Sequence, residues 1–219
     1  VNRRTMPVTA ALAATAALLL TACGSGDDGD SKDKDNIAGA DQGDAKKSAS
    51  PSASAEDSAD RPKVTLPKDD VLVFEGGKTG DAKKDAVLAD NAARHRAIDA
   101  AIIKGDPSSE AVQFYSEGDG ATSAVAWIKS VVDDGYSVTG TVRFFDRAVA
   151  LREDGSARLT YCGDESKWFG KDRETNKTDK TPVTKKSYVF YDASLKLSAK
   201  GVWKTTAVTS ERGASQCQP

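Results

Sequence analysis

The pattern of apolar and polar positions changes period part-way along the chain. Val87, Leu88, Ala92, His95, Ile98, Ile102 and Ile103 recur at three- and four-residue steps, the spacing of one face of an α-helix. Asp81 stands where a side chain can accept from the first free backbone N–H groups, and Gly105 follows Lys104 where a left-handed stop belongs, so a long first helix is predicted between them. Asp106-Pro107 and then Ser108, Ser109 and Glu110 restart a short second helix carrying Ala111, Val112, Phe114 and Tyr115. A third follows Gly118 and Gly120, with Val125, Trp127, Ile128, Val131 and Val132, and stops at Asp134-Gly135. Ahead of the helices, residues 64–74 hold Val64, Leu66, Val71, Val73 and Phe74 around Pro67 and read as an extended lead-in.

Beyond Gly135 the period is two. Residues 136–152 read as one long strand, Asp154-Gly155 turns it back through Ala157, Leu159 and Tyr161, and residues 187–199 pair through Gly201 with residues 202–212. Val138, Val142 and Phe144 are even whereas Phe145, Val149 and Leu151 are odd. A bulge near residues 144–147 accounts for that slip and bends the sheet. The expectation is an α+β domain in which N-terminal helices pack in a strongly bent four-stranded antiparallel sheet. Trp168 and Phe169 fall in a polar stretch between the second and third strands, where they pack on the sheet edge, cover the mouth of a pocket or face a partner.

The chain's start follows a different pattern. Arg3 and Arg4 precede an apolar stretch, residues 7–20, that is shorter than the ~20 residues a spanning helix needs. It closes on Leu20-Thr21-Ala22-Cys23, which resembles the lipobox of bacterial lipoproteins. That resemblance implies a signal peptide over residues 1–22, cleavage after Ala22, and lipid on Cys23 that holds the protein at the extracytoplasmic face of the cell membrane. Residues 23–63 are almost all Asp, Ser, Ala, Lys and Gly, with Ile37 the one large aliphatic, and are read as a disordered tether. The folded domain is expected over residues 64–219.

Charge separates these parts. Residues 24–63 hold ten acids against six bases, while residues 64–219 hold twenty-three of each. A neutral domain speaks against a nucleic-acid binder, which shows a basic excess on its folded part. With Cys23 assigned to lipid, Cys162 and Cys217 remain as a pair in an oxidising compartment and are expected to be bonded. A single histidine and no CxxC leave no ligand set, so no metal and no cofactor are expected.

Helices followed by long bent strands resemble the nuclear transport factor 2-like, or cystatin-like, cone shared with ketosteroid isomerases and polyketide cyclases. Asp154-Gly155, Ala157, the run Cys162-Gly163-Asp164-Glu165-Ser166, Trp203 and Cys217 are similar, more narrowly, to a set of actinobacterial lipoproteins and secreted proteins of that fold with no assigned activity. The resemblance implies a pocket between the long helix and the concave sheet. Its candidate lining is His95, Trp127, Phe144, Tyr161, Tyr188 and Trp203.

No GxSxG, HExxH, Walker or GxGxxG motif is present. Isomerase-type chemistry in such a cone needs a carboxylate base opposite acid or phenol donors, for which Asp146, Asp164, Tyr161 and Tyr188 are the candidates. Each has a structural reading too: Asp146 as an exposed strand charge, Asp164 as a turn residue bonded with Ser166, His95 as a core-edge histidine bonded to a neighbour. The sequence therefore favours a lipid-anchored, non-catalytic module that binds a small apolar ligand or a cell-envelope protein. The alternative is a cone-fold isomerase or cyclase acting on a small organic substrate. A pocket holding two titratable groups near a common point favours the enzyme, and a filled or purely apolar one the module.

Overall fold

The structure, a computed structural model, describes residues 60–219. The signal segment, Cys23 and the tether up to residue 59 lie outside the described residues. Among the described residues no helix is long and apolar enough to cross a membrane.

Three helices precede most of the sheet. Asp81 accepts from the backbone N–H groups of Lys83 and Lys84 at 2.8 and 3.1 Å and opens α1 (Ala82–Lys104). Gly105 ends that helix at φ 72°, a left-handed turn that costs glycine nothing. α2 (Glu110–Tyr115) and α3 (Gly118–Asp133) follow. The strands are β1 (Asp70–Phe74), β2 (Tyr136–Leu151), β3 (Ser156–Asp172), β4 (Thr178–Asp179), β5 (Tyr188–Leu197) and β6 (Trp203–Arg212). They form one sheet in the order β1-β2-β3-β5-β6, with β4 paired to the far end of β3.

This corrects the expected four-stranded, strongly bent antiparallel cone. The sheet has six strands, is mixed because β1 runs parallel to β2, and is neither closed nor strongly curled. The segment that reads as a lead-in supplies the extra edge. Its apolar residues flank Pro67 and show little alternation, but the three helices form the long crossover that a parallel pairing requires. Leu72 and Phe74 then face the core while Val71 and Val73 stay 43% and 40% exposed. The second long strand also runs further than expected, so Trp168 and Phe169 lie on β3 and not in a loop.

Register shifts occur at three places. Between Phe145 and Ala148, β2 carries one residue more than β3, and Asp146 takes φ 49° there, the kink expected of a bulge at the parity slip. Between Thr141 and Arg143 the additional residue is on β3, opposite Lys167 and Asp164. Between Ser194 and Leu195 it is on β6, around Thr206. Each one turns the following side chains to the other face.

Two cores result. The first half of α1 lays Val87 and Leu88 on Val142, Leu159, Tyr161, Leu195 and Trp203. Its second half packs Ala97, Ala101 and Ile102 against Val112, Tyr115, Ile128 and Val138. Each large side chain so buried contributes about 1.5–3 kcal/mol. Gly120 lets α3 lie against β6, since a Cβ there would sit 2.3 Å from the Thr205 carbonyl oxygen.

On the opposite face Cys162 is bonded to Cys217 across a separation of 55 residues, beside Phe145, Tyr188 and Phe190. Closing that loop limits the unfolded chain by about 4 kcal/mol. Reduction, or either single Ser variant at Cys162 or Cys217, should therefore lower the melting temperature by roughly 10 °C or more. Calorimetry should find the double variant no worse than either single one. Additive losses would contradict a single shared bond.

Candidate functional site

Between α1, α3 and the concave side of the sheet lies an open cavity of about 390 Å³, within the range that takes a small organic molecule. α1 contributes Arg94, His95, Ile98 and Asp99, two adjacent pairs one helical turn apart and so on neighbouring positions of one face. α3 contributes Ser123, Ala124 and Trp127, the last 45% exposed at the rim. Val142 and Phe144 come from β2.

The bulges supply the rest. On β3 the inward parity is odd at Tyr161 and Glu165, then even at Trp168 after the additional residue. On β6, Trp203 and Thr205 point inward beneath the helices, and beyond Thr206 the inward set becomes Val208, Ser210 and Arg212. Tyr191 arrives from β5 and stacks on Tyr161 with ring centroids 4.9 Å apart. Gly163 lies between Tyr161 and Glu165 with no side chain to fill the gap: a Cβ there would meet the Tyr191 ring at 3.1 Å.

Of the six residues that the sequence offers as lining, His95, Trp127, Phe144 and Tyr161 line this cavity. Tyr188 does not, because its even position on β5 puts it beside the disulfide on the outer face. Trp203 does not either: it is buried under α1, and its backbone N–H donates to Asp90 at 2.8 Å. Asp146 sits at the β2 bulge, and Asp164 accepts from the Ser166 N–H at 3.0 Å and pairs with Arg143 at 3.6 Å. Neither lines the cavity. The sequence reading misses Arg94, Asp99, Glu165, Tyr191 and Arg212, while Trp168, expected at the sheet edge or over the mouth, lines the cavity from β3. A signal for the first two exists, in charged residues set beside the apolar stripe of α1 around His95.

Electrostatics sort the cavity's groups. His95 Nε2 lies 2.9 Å from the Tyr161 hydroxyl, and its ring is 4.3 Å from that of Phe144. Burial, and then the positive charges of Arg94, Arg147 and Arg96, hold its pKa well below 6.5, so the imidazole is neutral. Asp99, 7% exposed, is the converse. Burial, and then the charges of Asp70 and Glu165, raise its pKa well above 3.8 and favour the protonated carboxyl. Burial also raises the phenols of Tyr161 and Tyr191, so both keep their protons. Glu165 accepts from the Tyr191 hydroxyl at 3.0 Å and from Arg212 Nη1 at 2.7 Å, which occupies both of its oxygens.

Behind the wall, burial and then the neighbouring Asp69 raise the buried Asp70 to about 6, while the Trp168 indole N–H opposes the shift. Among the described residues no cluster of three or more His, Cys, Asp or Glu is placed to hold a metal ion.

No protein-family model and no curated protein matches the chain. Among solved structures it is similar to Aln2 from a Streptomyces species, at 12% identity and a TM-score of 0.43 over 62% of this chain and 94% of that one. It is also similar to a ketosteroid isomerase-like protein from Erwinia carotovora atroseptica, at 15% identity and a TM-score of 0.40 over 60% and 97%. The intermembrane space region of the chloroplast protein ARC6 is a third, at 14% identity and a TM-score of 0.36 over 62% and 99%. At these values the likenesses carry no weight for the chemistry of the cavity.

A raised Asp99 pKa makes stability fall as pH rises. The folded state keeps a proton that the unfolded carboxyl releases near its ordinary value, so the contribution is complete below about pH 4 and is lost toward the folded pKa. Asp99→Asn has no such loss. Urea unfolding should show the variant gaining on wild type as pH rises above about 4; a constant difference would mean an ordinary carboxylate.

Proposed function

We propose that the domain is an enzyme of the acid–base type that moves a proton on a small organic substrate held in this cavity, as in an isomerisation or cyclisation. The carrying observation is the pairing, on one face of α1, of a neutral imidazole at His95 and a protonated carboxyl at Asp99. Four residues apart, they stand one turn from each other, with Cβ atoms about 6 Å apart in a regular helix. A base with a free nitrogen lone pair and an acid with a proton to donate are then presented to the same substrate.

The division of roles follows from the environments. We assign to His95 the tautomer that carries its proton on Nε2: the contact with the Tyr161 hydroxyl then fixes the ring and leaves the lone pair on Nδ1 to take the proton from carbon. Asp99 donates to the oxygen on which negative charge develops, a role open to a carboxylic acid whose apolar site keeps it neutral. Glu165 is held by Tyr191 and Arg212 and acts as a positioning residue for the Tyr191 wall. Ile98, Phe144 and Val208 supply the apolar surface that seats the substrate body. The mixed lining favours this reading over the purely apolar pocket of a non-catalytic module.

Hydrogen exchange at carbon tests the assignment without a known substrate. In heavy water the purified domain should accelerate deuterium uptake at the α-carbon of probes such as 2-tetralone and 3-benzoylpropanoate, followed by proton NMR. His95→Gln and Asp99→Asn should each slow uptake by about 10²-fold. Wild-type rates equal to those in buffer would contradict the enzyme.

The site of action is the second part of the proposal and rests on Leu20-Thr21-Ala22-Cys23 alone. The lipid on Cys23 would hold the domain on the outer side of the cell membrane, with the residues between Cys23 and the domain as a tether. Cys23→Ala should abolish lipid labelling in cells; unchanged labelling would remove the anchor.

A further inference from the structure

Arg94 is a buried cation without a counter-ion. It is 4% exposed, yet among the described residues no Asp or Glu pairs with it. Nε donates to the Ser116 hydroxyl at 3.0 Å and Nη2 to the Gly120 carbonyl at 3.1 Å. These two bonds fix the plane of the guanidinium from behind. Nη1 has no hydrogen-bond partner and is not among the sealed-off polar atoms, so it opens on the cavity that Arg94 lines.

Proteins rarely bury a charge that nothing neutralises, because desolvation is repaid only by an opposite charge at close range. The other charged groups of the cavity do not answer it. Glu165 is engaged by Arg212 at 2.7 Å, and the charges that act on Arg94 are those of Tyr161 and Tyr191, which are phenols. One positive charge is left over.

We propose that the cavity binds a monocarboxylate, with Arg94 Nη1 donating to the carboxylate and the apolar walls enclosing an aromatic or alicyclic body. This names the substrate class of the site and rests on the reading of the cavity as a ligand pocket. A single uncompensated guanidinium matches one negative charge, and its planar fork suits a carboxylate. A phosphate dianion would need a second free cation, and Arg212 is already paired. Ile98, Ala124, Val142, Phe144 and Val208 give the body its apolar contacts, and Trp127 stands at the entrance.

The test compares acids with neutral molecules of the same shape. Phenylacetate, 3-phenylpropanoate and 2-naphthoate are titrated against their primary amides, with the emission of Trp127 and Trp168 as the readout. At least one acid should bind about tenfold or more tighter than its amide, as a charge-assisted hydrogen bond implies. Arg94→Gln should remove that preference while leaving amide binding in place, and Arg94→Lys, which keeps the charge, should retain part of it. If Arg94→Gln does not fold, the wild-type ratio and Arg94→Lys decide. Equal binding of acids and amides by wild type would overturn the carboxylate assignment and leave the pocket standing. Failure of every probe to bind would contradict the pocket reading and this proposal with it.

Discussion

The burial of α1 together with its charged residues is the constraint that shapes the rest of the domain. Asp90, Asn91, Arg94 and Asp99 are all buried beside Val87, Ala97, Ala101 and Ile102. Burying them carries a desolvation cost that hydrogen bonds, ion pairs or a held proton offset in part. Asp90 is met by Arg61 and by the backbone N–H of Trp203, which ties the beginning of the described chain to β6. Asn91 accepts from Arg147, which also donates to the Leu88 carbonyl and so anchors β2 at its bulge. Arg94 reaches the Ser116 hydroxyl and the Gly120 carbonyl on α3. Asp99 is answered by keeping its proton. Docking the helix and setting the cavity's chemistry are therefore one event.

The sheet contributes direction. In an unbroken strand, period two would hold each side chain to the face its parity assigns. The added residue on β3 brings Trp168 onto the face of Tyr161 and Glu165, and the one on β6 brings Val208, Ser210 and Arg212 onto the face of Trp203 and Thr205. The bulge on β2 puts Arg147 within reach of α1, at 2.6 Å from the Leu88 carbonyl oxygen. Bulges next to functional sites re-aim side chains in this way, and those on β3 and β6 both act on the cavity.

Much of this is legible in the sequence where the signal is local. The three helices, the Asp81 cap, the Gly105 stop and the bulge near Phe144 each follow from a few neighbouring residues, while the cysteine pair follows from the cysteine count once Cys23 is set aside. The parallel β1 is not legible, because only a partner more than sixty positions away turns residues 70–74 into a strand. Trp168 reads as a loop residue because the polar run around it hides a bulge on β3 that only the register with β2 reveals. Tyr188 and Trp203 suggest themselves for the cavity on aromatic character, whereas parity sends one to the disulfide face and depth sends the other into the core. Asp99 and Arg94 escape a sequence reading because charged residues on a helix are ordinarily solvated; tertiary packing reverses that here.

The protonation state of His95 carries the account, and the chain has only this one histidine, so its signals are unambiguous. The measurement is a pH titration of the imidazole carbon and nitrogen shifts by NMR in the folded domain. The account predicts a neutral ring, hydrogen-bonded through Nε2 to Tyr161, that titrates well below 6.5 or not at all before the domain unfolds. Titration near the ordinary value of 6.5 would show a solvated imidazole and contradict the buried acid–base pair.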